Sequence, residues 1–116
     1  MSHKHPVNPT AILDATASFV VLSPKFGNTG TMRLQHLAVL VLLTQITSQA
    51  RPIDARDFAA RYHQNASIIS KIFKHLFEAG LLQRVVVHAT HHRGRAYFYY
   101  ANNSTLEAAL ARHAMS

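Results

Sequence analysis

The chain has no cysteine among its 116 residues. That excludes disulfides, thiolate zinc sites and cysteine nucleophiles, and it fits a reducing compartment. Acidic side chains are scarce. Asp14, Asp54, Asp57, Glu78 and Glu107 are the only five. Scattered along the chain, they present no carboxylate pair, and no nucleophile–base pairing stands out, so no enzyme is expected. Long hydrophobic runs are missing too. The most apolar stretch, Leu37 to Leu43, is far below the ~20 residues a membrane span needs. The opening residues MSHKHPVN show no apolar run behind a basic start, so no export signal is expected. No internal repeat or low-complexity segment is visible. The expectation is a cytoplasmic protein with no membrane partner and no cofactor.

What the chain has in excess is positive charge. Twelve Lys and Arg stand against the five acids, for a net charge of +7 and a pI near 10.4. Such a balance favours a polyanionic partner, nucleic acid first. The hydrophobic fraction of 48% argues for a folded chain. Its length argues for one domain, over residues 10–116, behind a tail of residues 1–9.

Within that domain Ile12, Ala15, Phe19 and Leu22 recur at three- and four-residue spacing and predict a first helix. Pro24, Gly27, Asn28 and Gly30 mark a loop. A second helix is expected over residues 31–49. Leu34, Leu37, Ala38, Val41 and Leu42 form one stripe on it, and Val39, Leu40, Leu43 and Ile46 widen that stripe. A helix apolar nearly all round should be central and buried on most faces. Arg51-Pro52 breaks the pattern, and Asp54 is placed to cap a short third helix in which Phe58, Ala59 and Tyr62 take core spacing. Residues 65–67 open a fourth helix with Ile69, Ile72, Phe73 and Leu76 on its buried stripe, and Gly80 suits its end.

Beyond Gly80 the period becomes extended. Residues 81–90 and 96–101 read as two strands, with the polar HHRGR of residues 91–95 as the hairpin tip. A short strand near Pro52-Ile53 is placed to pair with this hairpin. Residues 102–104 then cap a last helix carrying Leu106, Ala109 and Leu110. The expected class is mainly α with a small β-hairpin, in the order α-α-α-α-β-β-α.

Two short helices joined by about four residues and followed by a hairpin make a winged helix-turn-helix arrangement, whose second helix reads the major groove. The details resemble the bacterial MarR and ArsR regulator families. Asp57-Phe58-Ala59 is similar to their acidic-apolar-alanine start, and Ser70 to the small hydroxyl residue of their recognition helix. Leu76, Ala79, Gly80 and Leu81 resemble their L-x-x-A-G-L close, and residues 94–99 an arginine wing tip with an aromatic return strand. His63 stands where these families usually have glycine, and Gln64 where a small apolar residue is usual, so a differently shaped turn is expected. Ile68 stands where a hydroxyl residue is common. Without thiolates, ArsR-type metal sensing is not implied.

The charge pattern points the same way independently. Arg51, Arg56, Arg61, Lys71, Lys74, Arg84, Arg93 and Arg95 lie between residues 51 and 95. Ser67, Lys71 and Lys74 fall opposite the apolar stripe of the fourth helix. The expected function is sequence-specific binding of double-stranded DNA by a transcription regulator, a homodimeric repressor. The recognition helix spans about residues 66–79 and the wing residues 91–95. The expected DNA-binding residues are Asn65, Ser67, Ser70, Lys71, Lys74, His91, His92, Arg93 and Arg95. Ile12, Phe19 and Leu22 of the first helix and Leu106, Ala109 and Leu110 of the last are expected at the dimer interface, as the resemblance implies. Three alternatives remain: a plasmid or phage partition or replication protein, a winged-helix protein-interaction module that binds no DNA, and a metal sensor built on His88, His91 and His92. No metal site is expected, since no carboxylate accompanies these histidines and adjacent strand residues face opposite ways.

Overall fold

The structure, a computed structural model, describes residues 9–48, 51–88 and 95–114. Among them are five α-helices and a two-stranded antiparallel hairpin: α1 (Pro9–Leu22), α2 (Gly30–Thr47), α3 (Ala55–Arg61), α4 (Ala66–Glu78), β1 (Gln83–His88), β2 (Arg95–Tyr100) and α5 (Asn103–Ala114). The order is α-α-α-α-β-β-α, as the sequence predicts. The loop after α1 holds a single 3-10 turn, Pro24–Phe26, with Ser23 as its cap. It carries the fully buried Phe26. No helix among the described residues is long and apolar enough to cross a membrane.

Capping sets the helix boundaries. Thr29 caps α2 through the Met32 N–H, and Asp54 caps α3 through the Asp57 N–H at 2.7 Å. The loop between α1 and α2 is tied by Arg33. Its Nε donates to the Val21 carbonyl at 2.7 Å and its Nη1 to the Gly27 carbonyl at 2.9 Å. One cation of the basic excess therefore serves the fold.

The buried face of α2 consists of His36, Val39, Leu40, Leu43 and Thr47. This corrects the expected stripe. Leu34 is 56% exposed, Ala38 is exposed, and Leu37, Val41 and Leu42 are half-buried. On a helix apolar all round, periodicity cannot choose the buried side. The polar His36 and Thr47 mark it instead, because each has a partner waiting inside. The Thr47 hydroxyl donates to the Leu43 carbonyl at 2.7 Å and accepts from the Ala101 N–H at 3.2 Å. That bond joins the end of α2 to the junction between β2 and α5.

The core is continuous from α1 to α5. Phe73 sits at its centre, with the Phe58 and Tyr99 rings at 5.3 and 5.1 Å. Burying a side chain of this kind contributes about 1.5–3 kcal/mol. The chain near Pro52 does pair with the hairpin: Ile53 and Tyr99 exchange two backbone hydrogen bonds of 3.0 and 2.8 Å. β1 begins two residues later than the sequence suggests, and β2 keeps the expected length but starts one residue earlier. Leu81 and Leu82 lie in the core rather than in β1, and all six residues of β1 are exposed.

The outer helices fold back on their own chain. Leu13 and Thr16 of α1 line one cavity with Asn103 and Leu106 of α5, and the Phe19 ring lies 4.5 Å from that of His113. Ile12, Leu106 and Ala109 are buried within the chain. Phe19 and Leu110 are packed against the core. Ile12, Leu106 and Ala109 are thus taken up inside the chain, while Phe19 and Leu110 remain half-buried. Of the six expected interface residues, Leu22 alone is exposed, at 79%.

Candidate nucleic-acid interface

The candidate site is built on the α3–α4 pair. α3 ends in a six-residue closure: the Gln64 N–H bonds the Ala59 carbonyl at 2.8 Å and the His63 N–H the Ala60 carbonyl at 3.4 Å. This closure needs a left-handed residue at its centre. His63 supplies it, with φ of +55°. The turn therefore keeps the left-handed backbone that glycine would favour, with His63 in its place. α4 closes the same way, with Gly80 at φ +82° and the Leu81 N–H on the Leu76 carbonyl at 2.9 Å.

Asn65 caps α4. Its side-chain oxygen accepts from the Ser67 and Ile68 N–H groups at 2.9 and 3.1 Å. Its oxygen is thus taken up by the helix, which leaves the amide N–H groups of Asn65 for the DNA contact expected of it. Ile69, Ile72, Phe73 and Leu76 then point inward. Ser67, Ser70, Lys71 and Lys74 share the outward face and are exposed. None of the four side chains hydrogen-bonds or ion-pairs with a described residue. Their donors are left to solvent or to a partner. Ile68 is 50% exposed beside them.

The rest of the expected site divides differently. His91, His92 and Arg93 lie outside the described residues. Arg95 opens β2, paired with His88, so it belongs to the strand rather than to the hairpin tip. Among the described residues no three His, Asp or Glu side chains are grouped to hold a metal ion.

The structure adds a residue the site reasoning missed. Ser70, Lys71 and Lys74 line a groove of about 500 Å³ with Phe77, Glu78, Arg84, Tyr97 and Tyr99. Across it Arg84, from β1, lies between two rings, its guanidinium carbon 4.2 Å from the Phe77 centroid and 4.4 Å from that of Tyr97. Arg84 counts in the sequence only as one charge among eight. Its neighbours in the sequence are valines and a glutamine, and nothing local shows that Phe77 and Tyr97 bracket it.

No protein-family model and no curated protein matches the chain.

Behind α4 lies a histidine pair. His36 of α2 is buried, and its Nδ1–H donates to the Met32 carbonyl at 2.8 Å. Since a carbonyl only accepts, Nε2 of the neutral ring is left to accept from the His75 Nδ1–H at 3.0 Å. Burial lowers the His36 pKa from its usual 6.5; the Met32 bond opposes that shift and the nearby His75 adds to it. The arrangement holds His36 neutral and links α2 to the exposed helix.

Proposed function

We propose that the protein binds double-stranded DNA as a winged helix-turn-helix, with α4 in the major groove and the β1–β2 hairpin on the flanking backbone or minor groove. It acts by occupancy, as a cytoplasmic regulator of transcription and a homodimeric repressor. The carrying observation is the division of α4 into a wholly buried apolar face and an exposed face of Ser67, Ser70, Lys71 and Lys74 whose polar groups have no partner among the described residues. Lysines there suit phosphates and the serines suit base edges. Exposed Ile68 suits the methyl group of a thymine. The resemblance to MarR- and ArsR-type regulators accords with this reading.

The test is retention on duplex DNA across a salt series. Lys71→Ala and Lys74→Ala should each weaken binding to every sequence and lower the salt slope by about one unit. Ser67→Ala should change which sequences are preferred. Unchanged binding by the double lysine variant would remove α4 from the groove. A second reading, a protein-interaction module, is favoured by Val85, Val86 and Val87, each more than 40% exposed on β1. It predicts no retention on duplex DNA at any salt concentration.

A further inference from the structure

We propose that the groove between α4 and the hairpin is a preformed seat for one backbone phosphate of duplex DNA, with the Arg84 guanidinium as its fixed donor. Lys71, Lys74 and Ser70 complete the seat. The proposal rests on the DNA-binding reading and adds to it an anchoring point away from the base-reading end of α4.

An exposed arginine on a strand ordinarily samples many rotamers, and ordering it on a ligand is costly. Arg84 is exposed, yet the Phe77 and Tyr97 rings hold its guanidinium from α4 on one side and from β2 on the other. Rings over the guanidinium satisfy its charge and leave the in-plane N–H donors for other partners. It makes no hydrogen bond or ion pair with a described residue. A flat fork of donors held in place suits the two oxygens of a phosphate better than a lone ammonium does.

The surroundings favour an oxyanion. Lys71 and Lys74, about one helical turn apart, face the groove with Arg84, and Glu78 is the only carboxylate lining it. Ser70 and Tyr99 add hydroxyl groups. Three cations against one carboxylate leave the groove positive. The seat lies toward the C-terminal half of α4, whereas Ser67 occupies its first turn. With the first turn aimed at base edges, the later turns and the hairpin meet the sugar–phosphate backbone. Arg84 then fixes the tilt of α4 in the groove without reading sequence.

The experiment compares the parent with Arg84→Gln and Arg84→Lys on two duplexes of unrelated sequence over a salt series, with melting curves to check folding. The Arg84 Nε–Hε resonance is followed in parallel as inorganic phosphate replaces chloride at constant ionic strength. Arg84→Gln should bind both duplexes about tenfold more weakly, with a salt slope lower by about one unit. Arg84→Lys should keep the slope and still lose most of that affinity. Phosphate should shift the Arg84 resonance. A parent that binds both duplexes while Arg84→Gln matches it in affinity and slope overturns the seat and leaves the DNA reading standing. A loss confined to one duplex makes Arg84 a base reader and also overturns the seat. If the parent binds no duplex but phosphate still shifts Arg84, the anion seat stands and its assignment to DNA falls. If neither occurs, both fall.

Discussion

In the α3–α4 turn a histidine holds a backbone conformation that ordinarily favours glycine. For an L-residue the left-handed region costs about 1–2 kcal/mol, partly offset because glycine would lose more freedom on folding. His63→Gly should therefore raise stability by about 0.5–1 kcal/mol in denaturant melts, and DNA retention should stay unchanged. Gly80 is the opposite case. Its φ of +82° and the Arg112 guanidinium that a Cβ would overlap make Gly80→Ala destabilising, by about 1 kcal/mol or more. His36 carries a pH dependence. Its pKa is lowered in the folded protein, so the unfolded chain takes up the proton first as pH falls through 6.5. Stability is then full above that value and declines below it, by at most about 1.4 kcal/mol per pH unit. Melts from pH 7.5 to 5 should show this acid limb, and His36→Gln should lack the share that His36 contributes.

Among the elements, α4 shows most clearly what sequence can and cannot carry. Its apolar residues at 69, 72, 73 and 76 announce both the helix and its buried side, because Ser67, Ser70, Lys71 and Lys74 mark the opposite face as polar, although Ile68 stands exposed beside them. Its bounds fall within a residue of those expected. In α2 the same reasoning finds the helix and not its orientation, since no polar face breaks the ring of apolar residues. The role of Asn65 is legible as a cap, and since the cap uses only its side-chain oxygen, the amide N–H groups are what it can offer DNA. Asn65→Ala should cost about 1 kcal/mol. Asn65→Asp should restore that stability, and with it DNA binding unless the amide N–H itself contacts DNA. The Arg84 bracket was not legible. It depends on one ring seven residues earlier and another thirteen residues later, which meet only once β1 and β2 pair beside α4. Phe73→Ala, at the junction of α3, α4 and β2, should lose about 3–5 kcal/mol and broaden or abolish cooperative melting.

Across the described residues, most of the exposed cations gather in one half of the molecule. Arg51, Arg56, Arg61, Lys71, Lys74 and Arg84 are exposed on the half holding α3, α4 and β1. Exposed Leu13, Leu22, Met32 and Leu34 belong to the half holding α1 and α2. A two-fold dimer joined through these four side chains, on the half where Asp14 and Lys25 are the exposed charges, would leave both basic halves free to face DNA. Leu22→Glu, on a side chain the fold hardly uses, should leave melting within about 0.5 kcal/mol of the parent. If the protein is a homodimer closed at this end, the same change should yield a monomer of 12.9 kDa by sedimentation. α1 and α5, the first and last helices described, lie side by side, and His113 of α5 bonds the Ala79 carbonyl at the end of α4 at 2.8 Å. During synthesis α1 therefore emerges with α2 long before α5, which covers its other side. Until α5 leaves the ribosome, the side of Phe19 that meets His113 stays uncovered, and the last turn of α4 lacks one of its ties. A chain cut after Asn102 would remain at that stage, prone to stick to copies of itself before it could hold a stable recognition surface.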